Sequence, residues 1–480
     1  MARTSPILRH KLDIIMFQEK INIFWFRNDL RLEDNRGLYE ALRSGLRVLP
    51  LFIFDTEILN QLPDRCDRRV DFIHQALSRL ELEISLIKGT GSGEFPILYM
   101  YGKPEAAIEF ISSEFNVCSV FCNEDYEPYA VERDQKVALL LKNKGITFQC
   151  FKDQVIFSKD DVLKPDGQPY TVYTPYSRQW LNKLNNEPDT HLKHWPSEEL
   201  THQLVMSSEL LPLSNLEHEN NGSLKLFKNM PTLDDIGFIP SGEIFNSPIL
   251  INSIIANYHI TRNYPANEAG TTRLSAHLRF GTISIRTLVR SAIELNNAWL
   301  GELIWREFFK SVIYHFPYAA DGPFKKKYGF IAWRNDAKEL EKWCKGETGY
   351  PIVDAGMREL NQTGFMHNRV RMITASFLAK HLLINWQIGE SYFAAELLDY
   401  DQSANNGNWQ WAAGCGCDAA PYFRVFNPEL QTKKFDPDNI YIRKWVPEFD
   451  NPSEYPKPIV DHTTARLRAM AVYKAGITEL

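Results

Sequence analysis

Short apolar runs alternate with amphipathic segments between residues 20 and 151. The runs have the length and composition of buried strands, and the segments between them, such as 68–84 and 104–115, repeat apolar residues at helical spacing. The predicted strands begin at Ile21, Val48, Pro96, Cys118 and Ile146. Strands that alternate with helices are typical of a doubly wound parallel sheet, so we predict an α/β domain at 20–151.

Two loops of this region are candidates for ligand binding. Ligands of a doubly wound sheet bind at the carboxyl ends of its strands, which places the loop 27–31 (RNDLR) in a binding position. The stretch 89–93 (GTGSG) has the glycines of a phosphate loop, but it precedes a predicted strand, whereas a phosphate loop follows a strand and opens a helix. We interpret it as a turn, and a dinucleotide site of the usual kind is not supported.

The composition changes after the last predicted strand. Pro, Asn, Ser and Glu become frequent, and we predict an interdomain connector at 152–246. Helical periodicity dominates the rest, so we predict an all-α or nearly all-α domain at 247–480. Its predicted helices cover 284–296, 300–315, 350–362, 366–384 and 391–398. No apolar run approaches the roughly 18 residues of a membrane span.

Charge and cysteine content narrow the class of protein only a little. The formal net charge of −6 argues against a wholly basic nucleic-acid coat, but it allows a local basic patch. The seven cysteines are odd in number and spread through apolar strands, which favours free buried thiols in a reducing compartment. Since the start also lacks the pattern of a signal peptide, we expect a cytoplasmic protein. Cys415 and Cys417 have no second Cys/His pair nearby, so we expect no metal site.

Two helical faces in the second domain combine polar and aromatic residues. Glu302, Trp305, Arg306 and Phe309 are spaced to share one face, which suits a polar aromatic ligand such as a nucleobase. The alternative is an ion pair between Glu302 and Arg306 over an ordinary core tryptophan.

Asn368, Arg371, Met372 and Ala375 share a second face, from which Arg369 is rotated by about 100°. An asparagine there can bond to the edge of a base or a flavin, and an arginine inside a helical bundle needs an anion, for which Asp399 and Asp401 are the candidates. The alternative is a structural salt bridge. The stretch 270–275 (GTTRLS) suits a phosphate group, or equally a plain helix cap.

Taken in chain order, these motifs closely resemble those of the photolyase/cryptochrome family, and within it the class I cyclobutane pyrimidine dimer photolyases. The resemblance spans nearly the whole chain. Its specific parts are 24–32 (FWFRNDLRL), 302–308 (ELIWREF), 349–355 (GYPIVDA), 366–369 (MHNR), 405–411 (NNGNWQW) and 443–447 (RKWVP).

The resemblance implies a helical domain that binds FAD in a folded conformation. The matching cofactor positions are Tyr258, Thr271, Thr272, Arg273, Leu274, Ser275, Arg371, Asp399, Tyr400, Asp401 and Asn405. Asn405 would face N5 of the flavin and steady the reduced ring. Trp333, Trp386 and Trp409 match the family's electron-hopping chain between surface and flavin, although without the resemblance each would be interpreted as a packed core residue.

The implied substrate is a pyrimidine dimer in UV-damaged DNA, flipped out of the duplex and split by an electron from the photoexcited reduced flavin. The matching substrate and DNA positions are Arg262, Glu302, Trp305, Arg306, Asn368, Arg369, Met372, Trp411 and Arg424. Glu302 would hydrogen-bond the dimer, Trp305 and Trp411 would wall its pocket, and Arg262, Arg369 and Arg424 would contact phosphates. We expect a monomer.

The resemblance leaves other family functions to be separated. Cryptochromes of the plant type resemble this pattern with acids in place of Asn368 and Asn405, and (6-4) photolyases with histidines in place of Asn368 and Met372. A blue-light receptor or a single-strand-preferring DASH photolyase is the alternative, and a flavin reductase lacks a recognisable nicotinamide site. Asn123 and Glu124 are expected to border a second, antenna chromophore: a folate, a deazaflavin, or none.

Overall fold

A six-stranded sheet forms the N-terminal domain of the computed structural model, which describes residues 19–89, 96–205, 224–227 and 229–478. Its strands are β1 Ile21–Phe26, β2 Arg47–Asp55, β3 Leu98–Gly102, β4 Val117–Asn123, β5 Thr147–Phe151 and β6 Lys225–Phe227, in the order β5-β4-β1-β2-β3-β6. The first five pair in parallel, and β6 adds an antiparallel edge to β3. The five predicted strands are confirmed. The short β6, from the predicted connector, was not predicted.

Helices cover both faces of this sheet. They are α1 Arg36–Arg43, α2 Thr56–Leu59, α3 Arg68–Lys88, α4 Pro104–Glu114 and α5 Pro128–Asn143. Alternate residues of β1 enter opposite cores, with Phe24 and Phe26 in one cluster and Ile23 and Trp25 in the other. Helix α3 ends at Gly89, whose φ of 64° suits a glycine, and the rest of the predicted turn at 89–93 lies outside the described residues.

The remainder is helical and carries the site. Its helices are α6 Tyr173–Asn186, α7 Pro188–His191, α8 Asn252–Thr261, α9 Ser275–Arg279, α10 Ile285–Leu295, α11 Asn297–His315, α12 Ala337–Lys345, α13 Pro351–Thr363, α14 Asn368–Ser376, α15 Trp386–Glu396, α16 Gln402–Ala413, α17 Pro428–Phe435, α18 Ile440–Trp445 and α19 His462–Thr478. The predicted helix at 366–384 is divided: α14 passes into a π-helical segment, Phe377–Leu382, which ends at Leu383 with a φ of 51°. None of the described helices is both long and apolar enough to cross a bilayer.

A buried ionic network fixes the helical part to the end of β1. The Asp34 carboxylate accepts hydrogen bonds from Ser284 Oγ at 2.5 Å and from Arg286 Nε at 3.0 Å. Arg286 and Arg31 both donate to Asp153, at 2.8 and 2.6 Å. Since all the charges are balanced inside the protein, removal of one would leave another buried without a partner. The start of α10 is thereby fixed against the strand-end loop.

Candidate active site

A cavity of about 470 Å³ lies among α8, α11, α14, α15 and α16. All the predicted cofactor positions line it: Tyr258, Thr271, Thr272, Arg273, Leu274, Ser275, Arg371, Asp399, Tyr400, Asp401 and Asn405. So do seven of the predicted substrate positions: Arg262, Glu302, Trp305, Arg306, Asn368, Met372 and Trp411. Arg369, Arg424, Trp333 and Trp386 do not line it. The structure thus brings both predicted sets to one hollow.

The α11 face points into the cavity as predicted, but its charges are paired differently. The helix begins after Asn296, whose side chain accepts from the next backbone amides, and this sets the phase that directs Glu302 and Trp305 to the cavity. Glu302 pairs with Arg262, which directly follows α8, at 2.5 Å. Arg306 instead donates to backbone carbonyls, so the alternative interpretation, a Glu302–Arg306 ion pair, is wrong. Burial raises the pKa of Glu302, and the Arg262 charge offsets only part of that rise.

One of the two aromatic walls, Trp305, packs against a second aromatic ring that was not predicted from the sequence. Trp305 and Trp411 are both half-buried on the cavity lining. Tyr173, from the predicted connector, stacks on Trp305 with ring centres 3.6 Å apart and planes at 5°. Its hydroxyl donates to the Gly301 carbonyl at 2.9 Å. Face-to-face contact of this kind holds an indole in one orientation, so Tyr173 positions the Trp305 wall.

Helix α14 presents the second predicted face. His367 caps it, because its Nδ1 accepts from the Arg369 backbone amide at 3.1 Å. Asn368 and Met372 line the cavity, while the Arg369 side chain is turned away, donates to Asn263 and lies over the Phe435 ring. The predicted angular difference within this helix is confirmed.

Acidic side chains meet cations at the base of the cavity. Arg371 pairs with Asp399 at 2.9 Å, the first of the two predicted candidates. Asp401 lies 2.9 Å from the buried amine of Lys310 and 3.9 Å from Arg279. Burial would raise the pKa of Asp401, but these cations more than offset it and hold the pKa well below its ordinary value. Lys310 and Arg279 were missed, since their distance from Asp401 in the chain hides the contact.

Several residues that line this hollow carry buried polar atoms without a partner in the described part of the protein. Among the described residues, Asp399 Oδ1, His367 Nε2 and Trp409 Nε1 are buried and form no hydrogen bond. Such atoms are costly unless a ligand satisfies them. With the hydroxyls and the cation at 271–275 and the aromatic lining, they fit a large ligand that combines an anionic part with a polar aromatic ring. These are the chemical parts of FAD.

The three tryptophans of the predicted chain lie in one hydrophobic cluster. Trp409 and Trp386 are buried, and Trp333 is half-buried. Trp409 lines the cavity, whereas Trp333 packs against Tyr473 on the far helix α19. Trp409 at the cavity is therefore less exposed than Trp333 at the far helix.

Three arginines form a basic surface by the cavity. Burial lowers the pKa of Arg369, and the charges of Arg262 and Arg424 lower it further, which shows that the three are close enough to repel one another. Arg424 is exposed, and its carbonyl accepts from the buried Lys380 amine at 2.8 Å. A cluster of like charges at a cavity is suited to phosphate groups.

The predicted antenna residues behave differently from each other. Asn123 is buried, and its amide is used within the protein: it accepts from the Gly37 amide and donates to Asp29 and Asn35. Its side chain therefore has a structural role, and its contact with an antenna chromophore stays a prediction. Glu124 is partly exposed and pairs with Lys159 at 2.6 Å.

Comparison with known families agrees with this geometry. The protein-family model for DNA photolyase matches residues 22–197 of this chain. The family model for the FAD binding domain of DNA photolyase matches residues 299–475. A deoxyribodipyrimidine photo-lyase of Synechococcus sp. is 37% identical over 500 residues, covering 95% of this chain and 98% of the relative.

Solved structures are similar over the same length. A bacterial class III photolyase from Agrobacterium tumefaciens aligns with a TM-score of 0.79 and 30% identity, covering 96% of this chain and 98% of that one. An archaeal photolyase from Sulfolobus tokodaii with two FAD molecules aligns with a TM-score of 0.73 and 30% identity, covering 95% of this chain and 99% of that one. A Synechocystis cryptochrome aligns with a TM-score of 0.75 and 25% identity, covering 94% of this chain and 99% of that one. The chain therefore belongs to the DNA photolyase family of FAD-binding enzymes.

Proposed function

We propose that this chain repairs cyclobutane pyrimidine dimers in DNA under blue light. The observation that supports it most is the meeting of the predicted cofactor and substrate residues in one cavity, with Asn405 and Trp411 on the same helix, α16. For cleavage within the dimer, FAD supplies light-driven electron donation when bound.

The chain's own residues would hold the cofactor by charge and hydrogen bonding. Thr271, Thr272 and Ser275 offer hydroxyls for phosphate oxygens, and Arg273 adds a cation. Asn405 donates both its amide hydrogens to Glu390, at 2.8 and 3.1 Å, so that a neutral amide is held on the wall. Asn405 and the neighbouring Trp409 are buried, so this part of the wall is shielded from bulk water.

The substrate end would bind a flipped-out dimer between Trp305 and Trp411. Asn368 and the Glu302 carboxyl provide the polar contacts to base edges. A DNA phosphate that pairs with Arg262 would deprive Glu302 of its ion-pair partner. The pKa of Glu302, already raised by burial, would then rise further, and the protonated acid could donate a hydrogen bond to a base carbonyl.

A repair assay tests the proposal. Protein whose absorption spectrum shows bound FAD is photoreduced and illuminated with UV-irradiated oligothymidylate, as a single strand and within a duplex. We expect the base absorbance to recover. No recovery with either substrate would exclude repair and favour a cryptochrome-type receptor, and recovery with the single strand alone would favour the DASH type.

Glu302 provides a sharper test of the site. Glu302→Ala should slow repair more than it weakens binding of damaged DNA, and Glu302→Gln, which keeps a hydrogen-bonding group, should lie between that variant and the wild type. Equal losses of rate and affinity in the alanine variant would limit Glu302 to a binding contact.

Trp409, Trp386 and Trp333 would carry charge between the cavity and the surface. Trp333→Phe should abolish photoreduction of the bound cofactor while chemically reduced protein still repairs DNA. Trp195→Phe, at a half-buried tryptophan of the connector, is the matched control. Unchanged photoreduction in Trp333→Phe would refute the role of these tryptophans in electron transfer.

A further inference from the structure

A thiol pair lies in the α/β domain, away from the cavity. Cys122 and Cys150 occupy paired positions on the neighbouring strands β4 and β5, with their sulfur atoms 3.3 Å apart. Cys122 is buried and Cys150 is exposed. Both thiols are free, as predicted, but the expectation that the cysteines are generally buried is wrong for Cys118 and Cys150. A disulfide bond length of about 2.05 Å requires a further approach of only about 1.3 Å.

A hydrogen bond and a neighbouring cation favour a thiolate at the exposed sulfur. Arg27 places Nη2 3.4 Å from Cys122 Sγ and Nη1 2.5 Å from Asp134 Oδ1. The hydrogen bond from the Cys122 thiol is the main cause that lowers the pKa of Cys150. Arg27 adds to this, while burial and the Asp134 charge oppose it. Lowered pKa, exposure and a neighbouring cation are the features of reactive cysteines.

A metal site at the same place is disfavoured by the same arginine. Cys122, Asp134 and Cys150 offer ligand atoms within 4.8 Å of one another. The Arg27 guanidinium, however, pairs with Asp134 and also donates to the Asn123 carbonyl, so a cation already occupies this side of the cluster. Glu124 and Lys159 are the further charges that act on Cys150, and they pair with each other.

We infer that Cys122 and Cys150 form a redox-active dithiol that reacts with low-molecular-weight disulfides such as oxidised glutathione. The Cys150 thiolate attacks one sulfur of that disulfide, which forms a mixed disulfide and releases one glutathione thiolate. Cys122 then loses its proton and attacks the Cys150 sulfur, which releases the second glutathione. Two protein thiols are oxidised, one small disulfide is reduced, and both protons end on glutathione. Because the bond would cross the carboxyl ends of β4 and β5, it would report redox state at the edge of the sheet that carries the loop 27–31.

Glutathione buffers of fixed ratio test the assignment on the full chain with FAD bound. After alkylation of the remaining thiols, peptide mass spectrometry should find a Cys122–Cys150 disulfide in the wild type. Cys122→Ser should instead retain glutathione on Cys150, because no second thiol is present to displace it. Cys118→Ser is the matched control, since it removes an exposed thiol of the same strand and should leave the disulfide unchanged.

Two further outcomes would overturn the inference. One is glutathione retained on Cys150 of the wild type as in Cys122→Ser. The other is a stoichiometric Zn²⁺ that the reduced wild type retains and Cys150→Ser loses, which would establish a metal site. Arg27→Met should slow the reaction on the order of tenfold at pH 7 and much less at pH 10, where the thiol is ionised without help. An equal slowing of the reaction at pH 7 and pH 10 would show that Arg27 does not promote ionisation of the thiol.

Discussion

Replacement of Lys380 by methionine tests how the basic surface is held, because the Lys380 amine donates to the carbonyl of Arg424. The side chain is 1% exposed, and burial lowers the pKa of Lys380 from 10.5 to about 8. At 1.36 kcal/mol for each pKa unit, this difference corresponds to about 3 kcal/mol. The folded protein bears that cost whenever Lys380 is protonated.

The sign of the pH dependence follows from the lowered value. Between pH 8 and 10.5 the unfolded chain binds a proton at Lys380 that the folded chain does not, so stability rises with pH in that window. From pH 7 to pH 10 the wild type should gain about 2–3 kcal/mol in the free energy of unfolding relative to Lys380→Met. Urea unfolding of both proteins at the two pH values measures this, and Lys433→Met, at an exposed lysine, should follow the wild type. A parallel change in Lys380→Met and wild type would refute the reasoning.

The effect of Lys380→Met on DNA binding can be compared with that of Arg424→Ala. Arg424→Ala should reduce the slope of log affinity against log salt by about 0.9 on damaged duplex, as expected for one lost phosphate contact. Lys380→Met should reduce the slope in the same direction by a smaller amount, because the Arg424 loop loses its anchor. An unchanged slope would show that Lys380 does not position Arg424.

Two other substitutions test the walls of the cavity. Tyr173→Leu removes the ring stacked on Trp305, worth about 0.5–1.5 kcal/mol, and should raise KM for damaged DNA about two- to tenfold with kcat unchanged. Tyr173→Phe should resemble the wild type, and equal effects of both would assign the role to the hydroxyl. Gly389→Ala would place a Cβ 2.3 Å from the Trp409 ring and should destabilise the protein by about 1–3 kcal/mol and slow photoreduction. Gly322→Ala, with open space around the new Cβ, is the control, and normal photoreduction in Gly389→Ala would contradict the close packing.

Periodicity predicted most of the elements, because each depends on spacing within one segment. The parallel strands and the faces of α11 and α14 are of this kind, and the angular offset of Arg369 from Asn368 follows from the helix repeat alone. The break in the helix at 366–384 was not predictable in this way. The segment FLAKHL contains neither Gly nor Pro to signal a break, and tertiary packing selects the π-helical turn and the left-handed Leu383.

Partners that lie far apart in the chain were the other gap. Arg262 replaces Arg306 beside Glu302, and Tyr173 backs Trp305 from a segment whose composition predicts only a connector. Such pairs depend on how elements pack, and no spacing rule joins residues 40 positions apart, as in the first pair, or 132 apart, as in the second. The assignment of site residues therefore depended on the family resemblance, and the local patterns alone left structural alternatives open for each of them.

The base of the cavity also depends on the other domain. Glu127, at the start of α5, accepts from Arg279 at 3.2 Å and from the Gln402 amide at 2.9 Å. Gln402 is the first residue of α16, the helix that carries Asn405 and Trp411. Since the α/β domain thus fixes the first turn of that helix, changes at Glu127 should reach the cavity wall through backbone position as well as through charge. The α/β domain is therefore part of the scaffold of the active site, independently of any chromophore that it binds.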